Sequence, residues 1–347
     1  RHCSGRRSAH RGCQSGGRAA RHSGPLMADL CLWLSGLRGV PEDDLGAVLP
    51  RYWGCGRAER LTAGSSLEVA GRLLGFNGLL PAAALLAESE GIATEGHWVI
   101  ALEPVAFRGQ AGRAVLQPLP GLEEAAAAAL FTSAVEHMAD TPWTLRRGAR
   151  RWYVLTTDTP DLHCPDPEQV WGREPLALQV TGTDARRWNA FLNELQMLLA
   201  AHPVNQDVDA DGQEPWCLFW AWGEGRLPAA RPIPRWQTVA AEADYLQAAA
   251  RWLGLPLSYP KALQAAVKLP DDLLWVWSGA WLYPDAAKSF AALVPALQSL
   301  WRSGGRLECL TGVLASGGIE RLTLRRTDRW RFWRGPARPG HALPGGW

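Results

Sequence analysis

Residues 191–228 read FLNELQMLLAAHPVNQDVDADGQEPWCLFWAWGEGRLP, and this stretch decides the fold. Its first part completes an amphipathic helix expected over 183–201, capped by Thr183 and ended by Pro203. Trp188, Phe191, Leu192, Leu195, Leu198, Leu199 and His202 follow the three-four spacing of one buried stripe. Asn189, Asn193 and Gln196 form a polar stripe beside it. After an acidic turn, WCLFWAW at 216–222 is apolar at every position, so both faces of this strand should be covered. Gly223 and Gly225 read as its tight exit.

The same alternation extends outward. DLCLWL at 29–34 and LLWVW at 273–277 read as buried strands, and 37–64, rich in Gly, Pro and Arg, reads as loop. Helices are expected at 65–75, 79–90 (with Pro81 in the first turn), 121–139, 241–253 and 285–302. Further strands are expected at 97–102 and 113–116, and 144–145 should pair with 151–156 as a hairpin. Residues 158–175 read as loop. Strands at 306–314 and 319–326 flank the turn signal ASGG, and another strand is read at 329–334. The fold class is therefore α/β, a mixed sheet with flanking helices and an antiparallel hairpin at the C-terminal end.

Residues 1–26 hold six Arg, three His and no acid, and read as a disordered basic arm upstream of a start at Met27. Residues 27–228 form an N-terminal α/β region, and 229–334 form a C-terminal α/β region packed on the same core. The proline-rich segment 226–236 connects them, and 335–347 is a loose tail. The chain has 36 basic and 34 acidic residues; without the arm's six arginines the balance is 30 against 34, or −4. An acidic body has no general attraction for nucleic acid or anionic membrane. No apolar run approaches the roughly 18 residues of a membrane span. Five cysteines lie past the arm, an odd number without a C-x-x-C, which points to a reducing, cytoplasmic setting and no zinc ribbon.

LNELQMLLAAHPVN, followed by a Trp-rich strand and WGEG, resembles the RpfE-type regulatory protein family of proteobacteria, whose members are described as cofactor-independent phosphoglycerate mutase-like. The family pattern is LNE-x-QM-x-L-x-x-HPVN, a variable turn, then W-x-WG-x-G. CLWLSGL, HWVIALEPVAFRG, WGREPLALQVTG and RFWRG add to a likeness over about residues 27–335. Glu103-Pro104-Val105-Ala106 stands where the family has D-P-V-H, and Trp216-Cys217 where it has an Asn-Ser pair. Gln206-Asp207-Val208-Asp209 stands where an arginine follows HPVN. The apolar frame is kept while polar positions drift, which weakens retained catalysis.

The resemblance implies a regulatory or accessory protein binding a small molecule or a protein partner, or else an enzyme acting on phosphate esters. The candidate ligand-binding residues are Asn193, Glu194, Gln196, His202, Asn205, Gly223, Glu224 and Gly225, expected together at the carboxyl end of a central strand, where open α/β sheets bind ligands. The plain alternative is a solvated helix face on which His202 and Asn205 cap backbone groups. No catalytic residue, cofactor or metal is assigned. Asp207, Asp209 and Asp211 have the spacing that opens a calcium loop, but Leu218 occupies the twelfth position. A phosphomutase needs clustered Asp and His ligands near a nucleophile, and of the body's His97, His137, His163, His202 and His341 only His163 has an acid in a ligand-like short motif, the loop pair with Asp161. RLTLRRTDRWRFWRG, with six arginines among aromatics, could hold single-stranded nucleic acid, but reads better as an edge hairpin with its arginines in water. Most of the 19 tryptophans, among them Trp98, Trp152, Trp188, Trp220 and Trp275, fall where burial is expected, and Trp281 could border a pocket.

Overall fold

The computed structural model describes residues 29–35, 54–110, 113–171, 180–210, 214–259, 272–278, 305–311, 318–325 and 327–328. The expected arm, the helix at 285–302, the strand at 329–334, Trp281 and the tail lie outside the described residues.

In chain order the strands are β1 (Asp29–Ser35), β2 (Arg57–Leu61), β3 (Trp98–Gln110), β4 (Arg113–Pro118), β5 (Thr144–Arg147), β6 (Trp152–Thr156), β7 (Leu218–Arg226), β8 (Thr238–Ala240), β9 (Leu257–Ser258), β10 (Leu273–Ser278), β11 (Arg306–Thr311) and β12 (Ile319–Leu324). The helices are α1 (Ser66–Leu74), α2 (Ala82–Ser89), α3 (Glu124–His137), α4 (Pro167–Val170), α5 (Ala185–Ala200), α6 (Pro203–Ala210) and α7 (Asp244–Leu253).

They build two sheets. The first is mixed, in the order β2-β12-β11-β1-β10-β8-β9, parallel from β11 to β9 and antiparallel at β12 and β2. Leu30 to Leu34 and Leu273 to Val276 are buried at every position, as strands covered on both faces must be. β11 and β12 form the expected antiparallel pair. The second sheet is antiparallel: β3 is flanked by β6 and β4 on one side and by β7 on the other, and β5 lies beyond β6.

Between the sheets lies a shared core. Cys31, Trp33, Leu274 and Val276 reach it from the first sheet, and Val99, Ala101, Tyr153 and Trp222 from the second. Helix α2 runs through this core with Ala82 to Ala87 all buried. Its alanines keep it thin enough to fit. Helices α3 and α5 cover the far face of the second sheet, where Trp188, Phe191, Leu195 and Leu199 pack on Ile100, Leu102, Trp152 and Phe219. Trp143 meets Phe191 edge-on at 4.7 Å, and Trp152 stacks on Phe219 at 4.8 Å, both within aromatic pairing range.

Several sequence expectations need correction. Residues 57–61 form an edge strand, not loop; the sequence RAERL hides it because four of its five side chains face water. Pro81 precedes α2 as its cap instead of lying in the first turn. Thr183 does not cap α5; its backbone N–H and hydroxyl both donate to Asp161, at 2.8 and 2.9 Å. Pro203 ends α5 but also opens α6, since its missing N–H is harmless in a first turn. The expected loop at 158–175 contains α4, held by a capping box between Asp166 and Gln169.

Candidate functional site

β7 is covered on both faces only from Ala221 to Glu224, with Leu218 and Trp220 half-buried, and it is not a central parallel strand. It pairs only with β3 among the described residues and runs antiparallel to it, from Val105–Leu218 to Trp98–Arg226. The rule that parallel sheets bind ligands at their carboxyl ends therefore does not apply to it. Nor do the glycines form an exit turn. The strand continues through them to Arg226, and both lie against α2. A Cβ on Gly223 would come within 3.0 Å of the Ala83 amide nitrogen, and one on Gly225 within 2.9 Å of the Pro81 ring. Gly223 also has φ of +72°. These glycines let helix and strand backbones touch.

The opposite end of β7 borders a cavity of about 360 Å³. Asn189, Leu192, Asn193 and Gln196 of α5 form one wall. Val105 and Phe107 of β3, Leu116 of β4 and Leu218 to Ala221 of β7 form the rest, with Val180 at the margin. The amides are spaced i, i+4 and i+7, which stacks them on one helix face. They are solvent-exposed, and Phe107 is 54 % exposed, so this is an open groove with an apolar floor. None of the described lining residues is charged. Asn and Gln offer both donors and acceptors but titrate nowhere near neutral pH. The groove can orient a ligand, and its described walls hold no proton donor or base.

Of the expected site residues, Asn193 and Gln196 line this groove, joined by Asn189. Glu194 points elsewhere, with Oε2 3.8 Å from Nε2 of His137 on α3. His202 caps α6: its Nδ1 accepts from the Val204 amide at 3.2 Å and its carbonyl from Asn205 at 3.0 Å. Asn205 is buried and structural. Its Nδ2 donates to the carbonyls of Leu199 (2.8 Å) and Trp216 (3.2 Å), and its Oδ1 accepts from the Trp216 amide (3.0 Å). It pins the end of α5 to the segment that enters β7. Gly223, Glu224 and Gly225 lie at the far end of the strand from the groove. Glu224 is buried; its Oε1 accepts from the Cys164 amide at 3.0 Å, and its Oε2 has no partner. Burial pushes its carboxyl above the ordinary range. Asp207 and Asp209 fall in α6, and Asp211 lies outside the described residues. Among the described residues no group of three or more His, Cys, Asp or Glu could hold a metal.

Sequence reading missed Phe107, Leu116 and Leu218 as groove residues. The one available signal was Phe107 itself, a large apolar side chain among the polar residues of FRGQ.

No protein-family model matches the chain, and no curated protein matches it. Two solved structures are similar to it over most of its length. One is the cofactor-independent phosphoglycerate mutase from Thermoplasma acidophilum DSM 1728, at 18% identity and a TM-score of 0.41, covering 86% of this chain and 90% of that one. The other is the PH0037 protein from Pyrococcus horikoshii, at 13% identity and a TM-score of 0.42, covering 86% and 88%. Among the described residues no helix is long and apolar enough to cross a membrane.

Proposed function

We propose that the chain is a binding protein, a regulatory or accessory factor of the kind the RpfE-type resemblance implies. Its ligand is a small, uncharged, largely apolar molecule carrying hydrogen-bonding groups. The supporting observation is the groove itself, where three primary amides overhang an apolar floor in a cavity of about 360 Å³ with no charged described residue. That volume falls within the ~300–1,000 Å³ of small-molecule sites. A cytoplasmic setting is part of the reading, supported by five free thiols among the described residues, four of them buried.

Titration with an uncharged environment-sensitive probe, N-phenyl-1-naphthylamine, tests it. Fluorescence should rise on binding. Leu192→Trp, which fills the groove, should weaken binding at least about tenfold, and Asn193→Ala by about three- to tenfold for one lost hydrogen bond. Binding unchanged by Leu192→Trp would remove the groove as the site.

The resemblance also carries a phosphate-ester reading. A mutase and phosphatase screen with and without divalent ions separates the two. Activity lost in Asn193→Ala would make the groove catalytic.

A further inference from the structure

A second cavity, of about 190 Å³, opens on the first sheet beneath α1. Its floor is apolar: Leu61, Val69, Leu73, Leu310 and Ile319. Trp236 forms one side. Among the described lining residues, three guanidiniums, those of Arg72, Arg235 and Arg321, stand with a single carboxylate, Glu308. Glu308 is 3 % exposed and already engaged twice, by Arg235 at 3.2 Å and by Arg306 at 2.6 Å.

The other acids holding these arginines, Glu68 on Arg72, Asp29 on Arg235 and Glu59 on Arg321, are not part of the lining. They orient the guanidiniums from outside the cavity and offset part of their charge. Arg235 lies over the Trp236 ring, 4.5 Å from its centroid, which fixes its plane. Arg72 also donates to the Thr62 carbonyl at 2.6 Å. A guanidinium has five N–H donors, so two such contacts leave it capacity for another acceptor.

We propose that this cavity binds a small monocarboxylate with a short apolar tail. The planar carboxylate suits the guanidinium fork, and the tail covers the aliphatic floor. The volume lies below the ~300 Å³ at which drug-sized sites begin, so the ligand is fragment-sized. This site is separate from the α5 groove and stands independently of the reading given to it.

Isothermal titration of the full chain at low salt decides it, with hexanoate and benzoate as probes and hexanol and inorganic phosphate as controls. The carboxylates should bind, more weakly as salt rises, and both controls should fail. Leu73→Trp, which fills the cavity, should abolish binding, whereas Leu192→Trp should leave it unchanged. Arg72→Gln should lower affinity about tenfold. Should that variant misfold, Arg72→Lys keeps the charge, removes the fork and should still weaken binding. Silence with hexanoate and benzoate, equal binding by Leu73→Trp, or binding of phosphate in preference to carboxylate would each overturn the proposal.

Discussion

At the scale of single residues, Glu224 carries a consequence that can be measured. A carboxyl whose pKa is raised in the folded state holds its proton more tightly there than in the unfolded chain. The folded protein then binds the extra proton between the two pKa values, so stability falls as pH rises from about 4.3 through the folded value. Burial is the cause, opposed by the Cys164 amide. Glu224→Gln should therefore gain stability relative to the parent at pH 8, with the gain shrinking toward pH 4. Urea midpoints at pH 4, 6 and 8 check this, and a pH-independent difference would refute it. The amide row at 189, 193 and 196 was legible because helical spacing is a property of the sequence. The role of Glu224 was not, because WGEG gives no sign that one carboxylate oxygen ends without a donor.

Among elements, the contact between α2 and β7 is the most demanding. Gly223→Ala would strain a left-handed backbone and also press a methyl toward α2. A destabilisation of about 1–3 kcal/mol is expected from the backbone, with the contact adding to it. Gly96→Ala is the control: its φ is +73°, but nothing lies within 4 Å of the added carbon. Chemical denaturation should rank Gly223→Ala as clearly the worse, and equal losses would dismiss the packing contribution. Buried strands and long helices were readable from run length and period. β2 was not, because an edge strand with four of its five side chains in water carries no apolar signature. The groove's place was missed for a related reason. A continuous apolar run says that a strand is covered but not which strand it pairs with, and the pairing with β3 put the amides at the other end of β7.

For the whole molecule, a buried ion cluster ties the layers together. The Arg151 side chain, 4 % exposed, donates to Glu103 of β3 at 2.6 Å and to Asp244 of α7 at 2.6 Å. Burial alone would favour its neutral form, but the two carboxylates outweigh it and hold the guanidinium charged. Arg151→Met would strand the Glu103 carboxylate and should cost about 3–5 kcal/mol by urea unfolding. Adding Glu103→Gln should recover much of that loss, and a double variant no better than the single would show that the cost has another source. The mixed α/β class followed from the alternation of elements, whereas the cluster depended on residues 48 and 93 positions apart meeting in space.

The second sheet begins at Trp98 and ends at Arg226, and those two residues sit opposite each other in the β3–β7 ladder. The excursion thus departs and returns at one doorway, as a transplantable cassette would. Helix α2 denies it that independence: the alanine rod that fills the gap belongs to both halves, so cutting the cassette out would bare the rod and leave the remaining sheet without its lining.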